Sequence, residues 1–123
     1  MFGYRLFGLG SYGLAVPGDR GLWGGTELPS NVIDFITMST EGNATDFGDL
    51  SVSRGQNGGT SNGITGRGVF VGGSPGTRDV IDFVTILTEG NATDFGNMTG
   101  ARRGFDACSN GTSDRGLTGG GET

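Results

Sequence analysis

The chain has 123 residues, a formal net charge of −5 at neutral pH, eight Arg, no Lys and no His. Without His it lacks the usual acid–base group near pH 7 and the commonest metal ligand, which excludes most enzyme classes. The Arg residues are scattered, with no basic stripe to follow a phosphate backbone, so no nucleic-acid partner is expected.

Val, Ile, Leu and Phe supply 28 residues and Gly another 28. The first figure lies just above the roughly 20% below which chains tend to stay disordered. Such a chain builds a thin core, and burial against neighbouring subunits is expected. No apolar run reaches the about 20 residues of a membrane-spanning helix, so no membrane partner is expected.

Met1–Val16 carries one Arg and apolar residues interrupted by Gly8, Gly10 and Gly13. That interruption argues against a secretion signal, and the stretch reads as folded protein. Three later segments share one pattern: Gly18–Gly25, Thr65–Gly73 and Ser113–Gly121. Each runs turn, Arg-Gly, short apolar strand, glycines. Arg20 to Arg67 spans 47 residues and Arg67 to Arg115 spans 48; Val71 is read as an extra residue against Trp23-Gly24, so Gly24-Gly25 aligns with Gly72-Gly73.

Val32–Leu50 returns 48 residues later as Val80–Met98, with 14 of 19 residues identical. A period of this length with strand-like segments points to a repeat architecture. Val32–Met38 and Val80–Leu87 are rich in β-branched and aromatic residues, which predicts strands buried on both faces. Thr40-Glu41-Gly42-Asn43 and Thr88-Glu89-Gly90-Asn91 have hairpin-turn chemistry. A short return strand should follow, anchored by Phe47 or Phe95. Arg54 and Arg102 then open Gly-rich segments, and residues 55–66 and 108–114 read as loops. The predicted organisation is a single repeat domain over 1–123: an N-terminal half blade at 1–25, one repeat at 26–73, and a second repeat with a C-terminal strand at 74–123.

The order diglycine, Asp, aromatic anchor, Arg occurs as Gly24-Gly25, Asp34, Phe47, Arg54 and again as Gly72-Gly73, Asp82, Phe95, Arg102. It resembles Kelch repeats, the blades of one class of β-propeller, over residues 12–121. Met38 and Ile86 stand where such blades usually carry Tyr, and Phe stands for Trp. The resemblance implies an all-β fold of four-stranded antiparallel blades. The wording of the repeats is also similar to repeat proteins of tailed bacteriophages and marine bacteria. Kelch-like copper oxidases use His ligands, which this chain lacks, so that activity does not carry over.

Candidate site residues have structural readings beside the functional ones. Asn43, Asn91, Asn97 and Asn110 open N-glycosylation patterns, but Asn after a turn Gly is ordinary turn chemistry. Asp34, Asp46, Asp82 and Asp94 could line a ring and bind cations, yet Asp beside a turn more often accepts backbone N–H bonds. The two copies of each carboxylate look alike, whereas a catalytic pair needs unlike environments. Trp23 reads as packing, with carbohydrate stacking as the alternative. Cys108, the only cysteine, reads as a small buried residue. No catalytic, cofactor-binding or metal-binding residue is assigned.

The expected function is therefore non-enzymatic: a structural or adhesive part of a larger assembly, a phage virion or tail component first, with a free-standing glycan- or protein-binding propeller as the alternative. The expected localisation is the virion, or otherwise the cell surface or extracellular space. Expected partners are other structural proteins, a glycan in the alternative reading, and the chain itself. About two and a half blades fall short of the four to eight of closed propellers, so association, first of all as a homotrimer, should complete the ring. Far-UV circular dichroism of the chain should show a β spectrum without the helical minima, since no sustained 3.6-residue apolar period occurs.

Overall fold

The computed structural model describes residues 19–62, 66–110 and 115–123. The predicted half blade at 1–25 lies mostly outside these residues. Among them the chain is nearly all β, with no α-helix. Its strands are β1 (Arg20–Gly24), β2 (Ser30–Thr37), β3 (Thr45–Arg54), β4 (Gly58–Ser61), β5 (Arg67–Val71), β6 (Arg78–Thr85), β7 (Thr93–Arg102), β8 (Asp106–Ser109) and β9 (Gly116–Gly119). They form three antiparallel sheets, β1-β2-β3, β4-β5-β6-β7 and β8-β9, which do not close into a ring. Hydrogen bonding thus divides the chain after Arg54 and after Arg102.

The sheets repeat one register. Trp23 faces Asp34 across β1–β2 as Phe70 faces Asp82 across β5–β6, and Ile33 opposes Gly48 as Ile81 opposes Gly96. This register corrects the expected alignment of the Arg-Gly strands. Gly24 opposes Ile33 and Val71 opposes Ile81, so Val71 is the counterpart of Gly24. Gly25 and Gly72 then match, each donating its N–H to the equivalent Val32 or Val80 carbonyl. The extra residue falls in the following loop, where ladder pairing imposes no spacing.

Three further expectations change. The hairpin turn lies earlier than Thr-Glu-Gly-Asn: Thr40 N–H bonds to Thr37 C=O, and Thr88 N–H to Thr85 C=O. The Gly-rich stretches read as loops contain β4 and the last two residues of β8, because residues 58–61 and 106–109 pair with the Arg-Gly strands beside them. Finally, β2 and β6 are not buried on both faces. Successive side chains alternate between faces, and β2 buries Ile33 and Phe35 while leaving Val32 and Asp34 exposed; β6 instead buries Asp82 and Val84.

The reason is face-to-face stacking. We call the face of each sheet turned toward the next sheet its forward face, and the opposite one its rear face. The forward face of the first sheet contributes Ile33, Phe35, Phe47 and Leu50; the rear face of the second contributes Phe70 and Val84, with Leu22 and Ala92 packed against this core. Each such apolar side chain contributes about 1.5–3 kcal/mol on burial. Phe35 and Phe47 meet edge to face at 5.7 Å. Gly48 permits the close approach: its φ is +145°, and a Cβ there would stand 2.9 Å from Asn91 N. The third sheet seats on the second through Phe105, whose ring would lie 2.7 Å from a Cβ placed on Gly72.

Stacking makes identical residues unequal. Phe47 is 2% exposed, while its copy Phe95 is 53% exposed. Phe95 keeps the edge-to-face contact with Phe83 at 5.9 Å and has the Arg67 guanidinium 5.9 Å from its ring centroid, but no further sheet covers it among the described residues. Phe47→Ala should therefore cost about 3–5 kcal/mol, the range for a buried aromatic. Phe95→Ala should cost only about 1 kcal/mol, the worth of the ring contact. Urea denaturation of the two variants checks the contrast.

Candidate functional site

The most polar part of the structure is a buried junction between the first and second sheets. β3 ends at Arg54, opposite Ser30 at the start of β2, and the Arg54 side chain lies against the second sheet. There one guanidinium nitrogen donates to Asp82 Oδ2 at 2.9 Å, and the other to the Phe70 carbonyl at 3.3 Å. Ser51 donates its backbone N–H to Asp82 Oδ2 at 3.0 Å and its hydroxyl to Oδ1 at 2.6 Å. Both charged side chains are 0% exposed. A buried pair pays heavy desolvation, which further hydrogen bonds help to offset; Ser51 satisfies the carboxylate, while Arg54 Nε is buried without a partner.

Backbone and side-chain contacts extend the junction outward. Gly90 N–H bonds to Phe47 C=O at 2.8 Å and Ala92 N–H to Asp49 C=O at 2.7 Å. Asp49 N–H donates to Asn91 Oδ1 at 3.1 Å. At the far side Arg20 lies over the Phe35 ring at 4.5 Å, donating to the Ile86 carbonyl at 2.9 Å and to Glu89 Oε1 at 3.2 Å. Gly55 and Ser74 exchange two backbone bonds near the end of β3. The second Thr-Glu-Gly-Asn stretch, within the β6–β7 connection, thus also binds the preceding sheet.

The structure separates the candidate residues. Asp82 belongs to the junction, while Asp34, Asp46 and Asp94 are exposed. The two copies are therefore in unlike environments, because only the second repeat has a described sheet stacked on its rear face. No three His, Cys, Asp or Glu residues gather as a metal site among the described residues. Asn91 accepts the bond from Asp49, and Asn110 Oδ1 accepts from Arg115 N–H at 3.2 Å, so two of the four glycosylation-pattern Asn side chains have structural partners. Asn43 and Asn97 are exposed.

Two residues differ from their reading. Trp23, expected as packing, is 56% exposed, because it shares the uncovered rear face of the first sheet with Asp34. Cys108, expected as buried, is an exposed free thiol. It lies opposite Leu117, also exposed, on a face of the third sheet that no described strand covers.

A cavity of about 370 Å³ opens beside the junction, lined in part by Arg20, Leu22, Met38, Thr60, Phe70 and Ile86. Arg20 is its one ionisable lining residue among those described, and Thr60 and Ser61 hydroxyls there have no adjacent base. The junction itself went unrecognised in the sequence. Its signal was present: the spacing of 28 residues from Arg54 to Asp82 joins a residue of one repeat to the next repeat. No known family matches the chain, and no curated protein matches it.

Asp82→Asn should destabilise the protein by about 3–5 kcal/mol, since it leaves Arg54 buried and uncompensated. Asp34→Asn, the same change in the exposed copy, should stay within about 0.5 kcal/mol. Paired denaturation curves at neutral pH test both.

Proposed function

We propose that the chain is a non-enzymatic structural or adhesive component of a larger assembly, built from Kelch-like sheets that stack on their own kind. One observation carries this reading. The repeated residues that a site would use (Asp82, Arg54, Arg20, Asn91) hold one sheet to the next. Those residues serve adhesion between sheets, and the copies of Asp82, Arg20 and Asn91 (Asp34, Arg67 and Asn43) stand exposed on the outer faces. The likeness of the repeat wording to repeats of tailed bacteriophages makes a virion or tail the leading assembly, with other structural proteins of that particle as partners.

A second reading is favoured by Trp23, whose exposed ring on the rear face of the first sheet has the form of a sugar-stacking platform. In it the chain is a glycan-binding module. Quantitative mass spectrometry of gradient-purified particles separates the two. The protein is expected in constant stoichiometry with the particle's other components. Its absence from every particle, together with micromolar glycan binding lost in Trp23→Ala, would replace the first reading with the second.

A further inference from the structure

The contacts between the first and second sheets are made by residues that recur 48 positions on, and among the described residues no copies of β6 and β7 lie over the recurrences on the second sheet. Phe95 is exposed where Phe47 is buried, and Arg67 lies over Phe83 at 4.3 Å as Arg20 lies over Phe35, but stays exposed. Arg102, the copy of Arg54, is only partly buried; it donates to the Gly120 carbonyl at 3.2 Å and pairs with no carboxylate among the described residues. Gly96 keeps the open backbone of Gly48, with φ +134° and nothing within 4 Å of a Cβ placed there.

The complementary half of the junction is also exposed, at the other end of the chain. Asp34 is the copy of Asp82, and Gly42-Asn43-Ala44 is the copy of the Gly90-Asn91-Ala92 segment that bonds to β3. None of these has a partner among the described residues. The two exposed surfaces are thus the two halves of one junction whose geometry the molecule already displays internally.

We infer that the β6–β7 part of the second sheet's forward face is a docking site for the β2–β3 hairpin of a second copy of this chain. The inference deepens the assembly reading and rests on it. Arg102 receives Asp34 of the incoming copy, Thr99 takes the role of Ser51, and Phe95 and Asn97 carbonyls accept from Gly42 and Ala44. β9, which pairs only with β8 among the described strands, offers its free edge to the incoming β2, making a composite sheet of β8, β9 and the incoming β2 and β3. Each chain's β2 already pairs with its own β1, so docking exchanges strands: the incoming β1 leaves β2 and β9 takes its edge. In the internal junction Phe70 packs on Gly24, where a Cβ would lie 2.9 Å from the ring. At the equivalent place the second sheet carries Val71, which suits Thr118 of β9 and excludes Trp23 of an incoming β1. The contact joins unlike surfaces, so it propagates head to tail.

Sedimentation equilibrium of the 123-residue chain, kept reduced to prevent Cys108 cross-linking, tests this with Asp34→Arg and Arg102→Asp. Wild type should associate with rising concentration, and each variant alone should dissociate at least about 30-fold more readily, as for a truncated buried charge pair. An equimolar mixture of the variants should associate where neither does alone, because the native Arg102 site of one meets the native Asp34 site of the other. Circular dichroism checks that each variant folds, and Arg102→Gln replaces Arg102→Asp if that variant does not. Variants that associate like wild type would overturn the docking site and leave the assembly reading standing. A wild-type monomer at about 100 µM would also overturn the docking site, and particle mass spectrometry would then judge the assembly reading separately.

Discussion

The ion pair between Arg54 and Asp82 constrains the rest of the structure. Two full charges with no solvent contact tolerate little displacement, since the attraction and the Ser51 bonds must together offset desolvation. That requirement fixes the separation and the register of the first two sheets. With the sheets held there, Phe47 and Leu50 lie under the second sheet, Gly90 reaches the Phe47 carbonyl, and Arg20 reaches the Ile86 carbonyl. An apolar pair of the same volume would hold the sheets together and allow them to slide. The buried charge makes one register acceptable and the others costly.

A core of this kind belongs to a junction and not to a single sheet. Each sheet alone is a flat, glycine-rich ribbon with few large side chains, and neither could bury enough apolar area to order itself. Stability therefore arises in pairs, as in other repeat proteins, where each unit contributes a face and needs a neighbour to cover it. The third sheet illustrates the weaker case. Its two strands contribute little buried area, and Phe105, set against Gly58 and Gly72, provides the main seat.

The repeat itself, the antiparallel strands and the absence of helix were legible in the residues, because side-chain alternation and the 48-residue copy act locally. Parts of the local reading still failed. Thr-Glu-Gly-Asn has the composition of a hairpin turn, because Gly and Asn favour turns, but the bonded turn forms just before it, and in the second copy Gly90 and Asn91 bond to β3 of the sheet before them. The Gly-rich stretches looked like loops because Gly and Ser pack poorly in isolation. Beside an Arg-Gly strand their backbone groups complete a ladder, and hydrogen bonding outweighs side-chain propensity there.

What the sequence by itself determined is the unit: its period, its strands, the spacing of Arg and Asp, and the absence of His chemistry. What only the tertiary structure decided is which copy of each residue is buried. Asp34 and Asp82 sit in nearly identical local sequence, as do Phe47 and Phe95, and no local rule could separate them. Burial depends on whether another sheet lies across a given face, a contact between residues distant in sequence, 28 positions apart for Arg54 and Asp82. The same chemistry becomes a sealed ion pair in one copy and an exposed carboxylate in the other, because solvation is set by neighbours in space.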